Sequence, residues 1–504
     1  MKINKINRYA IAALSATLLT MSACDVTDQS PVTLVPEAEA YSDAGKVLGN
    51  ILGVYDAAQR GFYLGTIQRG YPFGAASIQQ GDMRSGDMYN DQLFYEVTYI
   101  GGWTPTTANN EGQWIGTYRL INRINVVMDG LQTALENGVI TQEQYNAYMA
   151  EMYFLRGFSH HDLVINFSRA YADDPSLPGI PYRDFAINNT ERVTEAEQVG
   201  RGTVAETYAK ILADLDLAEQ LGADIGPFRA SRGAAIGYKT RVKLHQQDYE
   251  GVLEEFAKLT YTLAPTPEAP FENPEGNPES IFSLQNTAES NPGVNGALAA
   301  MYGNPGLGGR GLVKVSPIIW NEPFWLPEDR RRTVLTTSGP DGIYTGKYTG
   351  YINRDDPTPL FRYAEAVLNA AEAYARLGDL DEAVALLNSV RDRSIPAGAA
   401  SYTAGGLGGA AGVLQAIWNE KRVEFLAEGV YWYDIHRLSG SGELPGIPAK
   451  AASRSIGSID QYQPGANITL DHALPYSSHL FIWPLPLQEV VNNPLLAGQQ
   501  NPGY

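Results

Sequence analysis

The sequence predicts a mainly α-helical protein: tetratricopeptide-like helix pairs form a scaffold with long loop excursions and few short strands. Three observations predict this. Apolar residues recur every three or four positions over long stretches. Two stretches read as helix–turn–helix pairs, and the segments between them lose the period and fill with Pro, Gly, Asn and aromatic residues.

The chain opens with basic Lys2, Lys5 and Arg8, then an apolar run from Ala10 to Met21 that is too short to span a bilayer. The small pair Ser22-Ala23 directly precedes Cys24, the only cysteine in 504 residues. An intramolecular disulfide is therefore excluded. Residues 1–23 read as a signal peptide, and Cys24 in the first mature position matches a bacterial lipobox, where the thiol is acylated. The rival reading is an ordinary secretory signal with an incidental cysteine. More than one acyl chain holds a protein stably on a membrane, so no transmembrane helix is needed. Residues 24–42, polar and containing Pro31 and Pro36, read as an extended leader.

Removing residues 1–23 takes three positive charges with it, so the net charge of −19 becomes −22. A body this acidic repels nucleic-acid phosphates, which sets nucleic-acid binding aside.

Residues 43–261 read as a helical N-terminal region and 262–504 as a C-terminal region, the two forming one unit. The first strong helix carries Trp114, Tyr118, Ile121, Asn125 and Met128, and a second runs from about Thr141 to Phe167. In "TVAETYAKILADLDLAEQL", Thr203 and Glu206 form a capping box, and Val204, Tyr208, Ile211, Leu212, Leu215 and Leu221 line one face. A helix pair turns at Gln247-Asp248-Tyr249. Another closes its first helix at Leu377-Gly378, turns at Asp379 to Asp381 and ends near Arg393. Ala370, Ala373 and Ala383 let paired helices approach closely. The pairs lie over a hundred residues apart, so they are expected to assemble in space. Segments 62–112, 262–358 and 438–480 read as long loops, which on a rigid scaffold are usually functional.

Five segments, in order along the whole chain, resemble the SusD/RagB family. "NEKRVEFLAEGVYWYDIHR" (Asn419–Arg437) is similar to its ERR-x-E…EG-x-RW-[FY]-D-L-x-R signature, and "FIWPLPLQEVVNNPLLAGQQNPGY" to its closing motif. "FRYAEAVLNAAEAYARLG" with "LLNSVRDRS", "MAEMYFLRGFSHHDLVINFS" and the lipobox are the others. Lys421, Tyr431, Gly157 and His160-His161 depart from the usual residues, all on scaffold helices. The resemblance implies a surface lipoprotein of the outer membrane that covers a SusC-like TonB-dependent transporter and captures oligosaccharide, or in some members peptide. It also implies a helical fold with four tetratricopeptide-like pairs and a ligand held on the loop face, and no cofactor. A glycoside hydrolase and a lid without ligand contacts are the rivals from other classes.

No catalytic residues are assigned. Glu420, Glu424 and Glu428 recur every four residues on one helix face, whereas a glycosidase needs carboxyls opposed across a bond. They suit ion pairs instead. His160, His161 and Asp162 diverge from a helix and read as structural, and the glycine-rich segments lack a phosphate-binding context. A loop calcium at Asp82, Asp87, Asn90 and Asp91 fits no EF-hand spacing, so no metal is assigned. For sugar binding, aromatics match the C–H faces and Asp, Asn and Arg match the hydroxyls. "QQGDMRSGDMYNDQ", read as a turn-rich loop, supplies Asp82, Arg84, Asp87, Tyr89 and Asn90, with Trp103 following; the second loop supplies Tyr302, Trp320 and Trp325. Trp114, Trp432 and Trp483 belong to the core.

Overall fold

A computed structural model of the chain describes residues 37–63, 66–67 and 69–504. The signal segment, Cys24 and the leader as far as residue 36 lie outside the described residues. The end of the leader departs from an extended chain. Glu37–Ala40 forms one helical turn and Tyr41 is buried in the main core. Asp43 then caps the first long helix by accepting the Lys46 N–H (3.0 Å).

The scaffold is a succession of amphipathic helices, each buried on its neighbours. These are α1 (Ala44–Arg60), α2 (Ala75–Ser85), α3 (Ala108–Glu136), α4 (Gln142–Phe167), α5 (Val204–Leu221), α6 (Arg232–His245) and α7 (Tyr249–Phe256), then α8 (Tyr363–Leu377), α9 (Leu380–Arg391), α10 (Ala410–Glu424) and α11 (Tyr431–Gly440). α1 packs on α3, α3 on α4, α4 on α5, α5 on α6, α6 on α7, α7 on α8, and α8 on both α9 and α10. The α7–α8 contact joins pairs that the sequence separates by the long second excursion.

Local chemistry sets the boundaries. Thr203 Oγ1 accepts the Glu206 N–H (3.1 Å) and Glu206 Oε2 accepts the Thr203 N–H (2.8 Å), completing the capping box at α5. Val204, Tyr208, Ile211 and Leu215 are buried along the face below it. Thr141 and Gln144 repeat the device at α4. α8 stops at Gly378, and Asp379 caps α9 through the Glu382 N–H (3.2 Å). Gly378 and Asp379 are thus the whole turn, with Leu380 and Asp381 already in α9, and α9 ends at Arg391, two residues short of the sequence expectation, as Arg393 turns inward to Glu424.

The described strands form six two-stranded antiparallel ladders, and two of them organise the excursions. β2 (Ser280–Leu284) pairs with β4 (Thr358–Arg362), so the excursion between them leaves and re-enters the scaffold at one point. β1 (Met88–Asn90) pairs with β3 (Val313–Val315), which ties the first excursion to the second. The third is tied in by Lys450, whose buried ammonium donates to the Met83 (2.8 Å) and Tyr99 (2.6 Å) carbonyls, and by Tyr462, whose hydroxyl donates to Val315 O (2.7 Å). The three segments read as loops therefore share a second apolar core, which includes Tyr89, Tyr99, Met301, Tyr302, Trp325 and Tyr462.

A buried ion network sits where the excursion re-enters. Arg362, at the end of β4, reaches Glu424 (3.0 Å), Glu428 (2.9 Å) and Glu279. Arg393 reaches Glu424 (2.7 Å) and Glu279. Arg331 reaches Glu420 (2.6 Å), Glu424 (3.0 Å) and Asp329 (2.7 Å), and Lys347 reaches Glu428 (2.6 Å). Burial alone would raise the Glu424 carboxyl, but Arg393, Arg362 and Arg331 outweigh it and hold the group well below the usual carboxylate range.

Glu424→Gln leaves three buried guanidiniums short of a counter-charge. It should cost about 3–5 kcal/mol of stability, the usual penalty for breaking a buried pair from one side. A carboxyl lowered on folding stabilises above its unfolded value, near 4.5, and loses that contribution as the pH falls further. The variant should therefore melt lower at neutral pH and show a shallower acid decline than the parent. Thermal melts across pH 3–7 check both.

Candidate functional site

The two excursions singled out from the sequence do come together through the β1–β3 ladder, but most of the singled-out side chains point inward. The segment expected as a turn-rich loop is α2 followed by β1, and α2 is buried along nearly its whole length. Asp82 accepts the Tyr302 hydroxyl and the Gly429 N–H (3.1 Å), and burial pushes its carboxyl up to about 8. Arg84 lies between the rings of Trp432 (3.7 Å from guanidinium carbon to centroid) and Trp483 (4.2 Å) and donates to Asn166; burial pulls it down to about 9. Asp87 receives two hydrogen bonds from Arg422 (2.9 and 2.6 Å). Tyr89 accepts the Ile456 N–H (2.9 Å), and Asn90 donates to Gln92 O (2.7 Å).

The aromatics divide similarly. Trp103 is in the main core, donating to the Tyr504 hydroxyl (2.8 Å) and meeting Trp483 edge-on at 6.3 Å. Tyr302 and Trp325 are buried in the second core. Trp320 alone of the singled-out residues keeps part of its ring accessible; it meets Trp325 edge-on at 5.2 Å and carries the Arg332 guanidinium 4.3 Å from its centroid. Trp114, Trp432 and Trp483 are core residues, as their helical spacing and motif positions suggest. Asp87 and Asp91 face different cations, Arg422 and Lys314 (3.1 Å), rather than a common point. His160 stacks on Tyr182 at 3.7 Å and accepts the Arg183 N–H (3.0 Å), while His161 meets the Tyr238 hydroxyl (2.9 Å). Burial pushes both rings well below the usual histidine range.

The outer surface of the second core presents residues the sequence reading passed over. Phe94, partly exposed, has the Arg69 and Arg310 guanidinium carbons 5.3 and 5.6 Å from its ring centroid. Arg310 also donates to Asn295 Oδ1. Asn291 donates to Asn353 O (3.3 Å), and a β-carbon on Gly308 would lie 3.6 Å from Tyr351 Cβ, so the turns at 291–295, 305–310 and 351–354 adjoin. Leu307 (52 %), Val294 (45 %) and Ile352 (80 %) are exposed on these turns, and Leu93 (67 %) is exposed beside Phe94. These exposed apolar side chains adjoin the ring that Arg69 and Arg310 cover. The signal for Phe94 was its place between the acidic run and Trp103; its arginine partners come from distant segments. A separate groove of about 710 Å³ lies between α1 and α3, lined by Asn50, Gly53, Tyr118 and Arg123 among others.

The profile described as "SusD family" matches residues 330–504, and that described as "Starch-binding associating with outer membrane" matches residues 72–244. The chain belongs to the SusD/RagB family. Among its relatives, SusD-like protein P2 of Formosa agariphila is 25% identical, over 97% of this chain and 98% of that one. A SusD superfamily protein of Bacteroides fragilis superposes with a TM-score of 0.76 at 25% identity, covering 90% of this chain and 98% of the other. Surface glycan-binding protein A of Bacteroides thetaiotaomicron shares the fold with a TM-score of 0.65 at 19% identity, covering 92% and 100%.

In this SusD-family chain the signature stretch is a structural hub. Arg422 holds Asp87, Arg437 pairs with Glu372 (2.6 Å), and Trp432 backs Arg84. Gly429 has φ 73°, and a β-carbon there would lie 2.9 Å from Ile78 O, so only glycine lets α2 cross so closely. Tyr431 packs its ring 4.9 Å from the Arg422 guanidinium carbon.

Trp103→Ala tests the inward placement. It should lower stability by about 3–5 kcal/mol, as large core truncations do, and leave ligand affinity per folded molecule unchanged. A melting curve and a calorimetric titration on the same preparation separate the two effects.

Proposed function

We propose that this protein captures oligosaccharide at the cell surface and passes it to a SusC-like TonB-dependent transporter without cleaving it. The observation that carries the reading is the Phe94 surface. There an aromatic ring, two guanidiniums and asparagine amides stand together on a face built by the first two excursions. A pyranose offers C–H groups to the ring and hydroxyls to the donors. Family membership supports the same reading, as does a relative named for surface glycan binding. Trp320, with part of its ring accessible, is proposed as a second contact. The carboxylates most suited by type to hydrolysis, Glu420, Glu424 and Glu428, are each held by buried cations within the network, which leaves capture as the chemistry on offer.

Acylation of Cys24 supplies the proposed membrane hold, in keeping with the outer-membrane association named in the second profile. Among the described residues no helix is long and apolar enough to cross a membrane.

Incubation with an oligosaccharide panel should show retention of a glycan with no release of shorter products. Phe94→Ala should weaken that retention by about 2 kcal/mol, or about thirtyfold, with little change in melting. Turnover by the purified protein would make it an enzyme and overturn the proposal. Cys24→Ala should shift the protein from membranes to the soluble fraction with its fold intact. A variant that stays bound after high-salt washing in cells lacking the transporter contradicts the lipid anchor.

A further inference from the structure

We infer that the oligosaccharide taken by the Phe94 surface is acidic, bearing uronate carboxylates or sulfate esters. The inference rests on the capture reading and names the ligand class for that same site.

The chain carries 56 Asp and Glu against 37 Lys and Arg, so carboxylates outnumber the basic side chains they can neutralise. Deep in the fold Arg331, Arg362, Arg393 and Arg437 are neutralised by glutamates, and at the surface Arg192 and Lys258 find acidic neighbours. Arg123 and Arg232 are exposed without an ion pair among the described residues, and so are Arg69 and Arg310, but only the latter two converge on one ring, that of Phe94. What they hold is Phe94, with Asn295 Oδ1 and Met301 Sδ (3.5 Å) as further contacts of Arg310. Arg354, on the adjoining turn, also lacks an ion pair among the described residues, and its Nε has no hydrogen-bond partner.

Several nearby acids are committed elsewhere, among them Glu96, which pairs with Arg454 (2.9 Å). Asp91, three residues before Phe94, pairs with Lys314 (3.1 Å), and Asp356 accepts the Gly350 N–H (2.7 Å). Glu289 and Asp355 are the other carboxylates on these turns, and neither forms an ion pair with a described residue.

Two guanidiniums held over one ring are restrained in position while their outer N–H groups remain available. That planar fork matches a carboxylate or a sulfate with paired hydrogen bonds. A neutral sugar gains little from it, since amide and hydroxyl groups serve its hydroxyls equally well. The charge also has a steering role. A chain of net charge −19, and −22 without residues 1–23, repels a polyanionic ligand at long range, so an acidic ligand needs a local basic focus, and this surface supplies one.

The test uses the full-length protein in detergent. It is titrated calorimetrically with tetrasaccharides of polygalacturonate, alginate and carrageenan, each beside its carboxyl-reduced or desulfated counterpart, and with a panel of neutral oligosaccharides. The acidic member of at least one pair should bind about tenfold or more tightly than its neutral counterpart, the value of one charged hydrogen-bonded contact, and the preference should shrink as salt rises. Arg69→Gln and Arg310→Gln should each remove about tenfold of the acidic affinity without moving the melting temperature. Arg310→Lys, which keeps the charge but not the fork, should fall between. Neutral glycans bound with no acidic preference, or a preference that survives the double Arg→Gln variant, overturns the acidic class and leaves glycan capture standing. Retention of neither acidic nor neutral glycans overturns both.

Discussion

The interaction on which the rest depends is the buried pairing of Arg362 with Glu424, Glu428 and Glu279. Arg362 ends β4 and immediately precedes α8, so it marks where the long excursion returns to the scaffold. Glu279 directly precedes β2, where the same excursion departs, and Glu424 closes α10. One guanidinium thus ties both ends of the excursion to the signature helix. Charges this deep stay charged only when fully paired, and removing any one partner leaves the others exposed to the full desolvation cost. The network therefore fixes the geometry of the crossing more than it adds net stability.

That crossing has a consequence for function. With the excursion anchored at its base, its far end is free to pack against the first and third excursions through the β1–β3 ladder and Lys450. The result is a second core whose polar residues are spent on internal partners, such as Asp82 on Tyr302 and Asp87 on Arg422. In the proposed capture function, recognition falls to the turns left on its outside. Phe94, Arg69 and Arg310 stand on rigid backing, which lowers the ordering cost of binding.

The scaffold was legible because its signals are local. The capping box at Thr203 and Glu206, the stop at Gly378 and the apolar face of α5 each lie within a few turns of chain, and the structure reproduces them. The signature motifs were legible for the same reason. The site was not. Asp82, Arg84 and Asp87 look like ligand-binding residues in sequence because polar residues clustered with glycine usually face water. Their partners Tyr302, Trp432, Trp483 and Arg422 lie hundreds of residues onward, and spacing carries no trace of such pairing. Phe94 and Arg310 were missed by the same limit in reverse, since neither has a periodic context and each gains meaning only beside the other.

The central claim is that a rigid helical scaffold carries a second core whose outer turns bind the ligand. Amide hydrogen exchange, measured with and without a retained oligosaccharide, tests it most directly. The account predicts that added protection falls on the turns at 91–95, 291–296, 305–310 and 351–354, while α3 to α9 exchange as before. Protection concentrated along the groove between α1 and α3, with those turns unchanged, would contradict it.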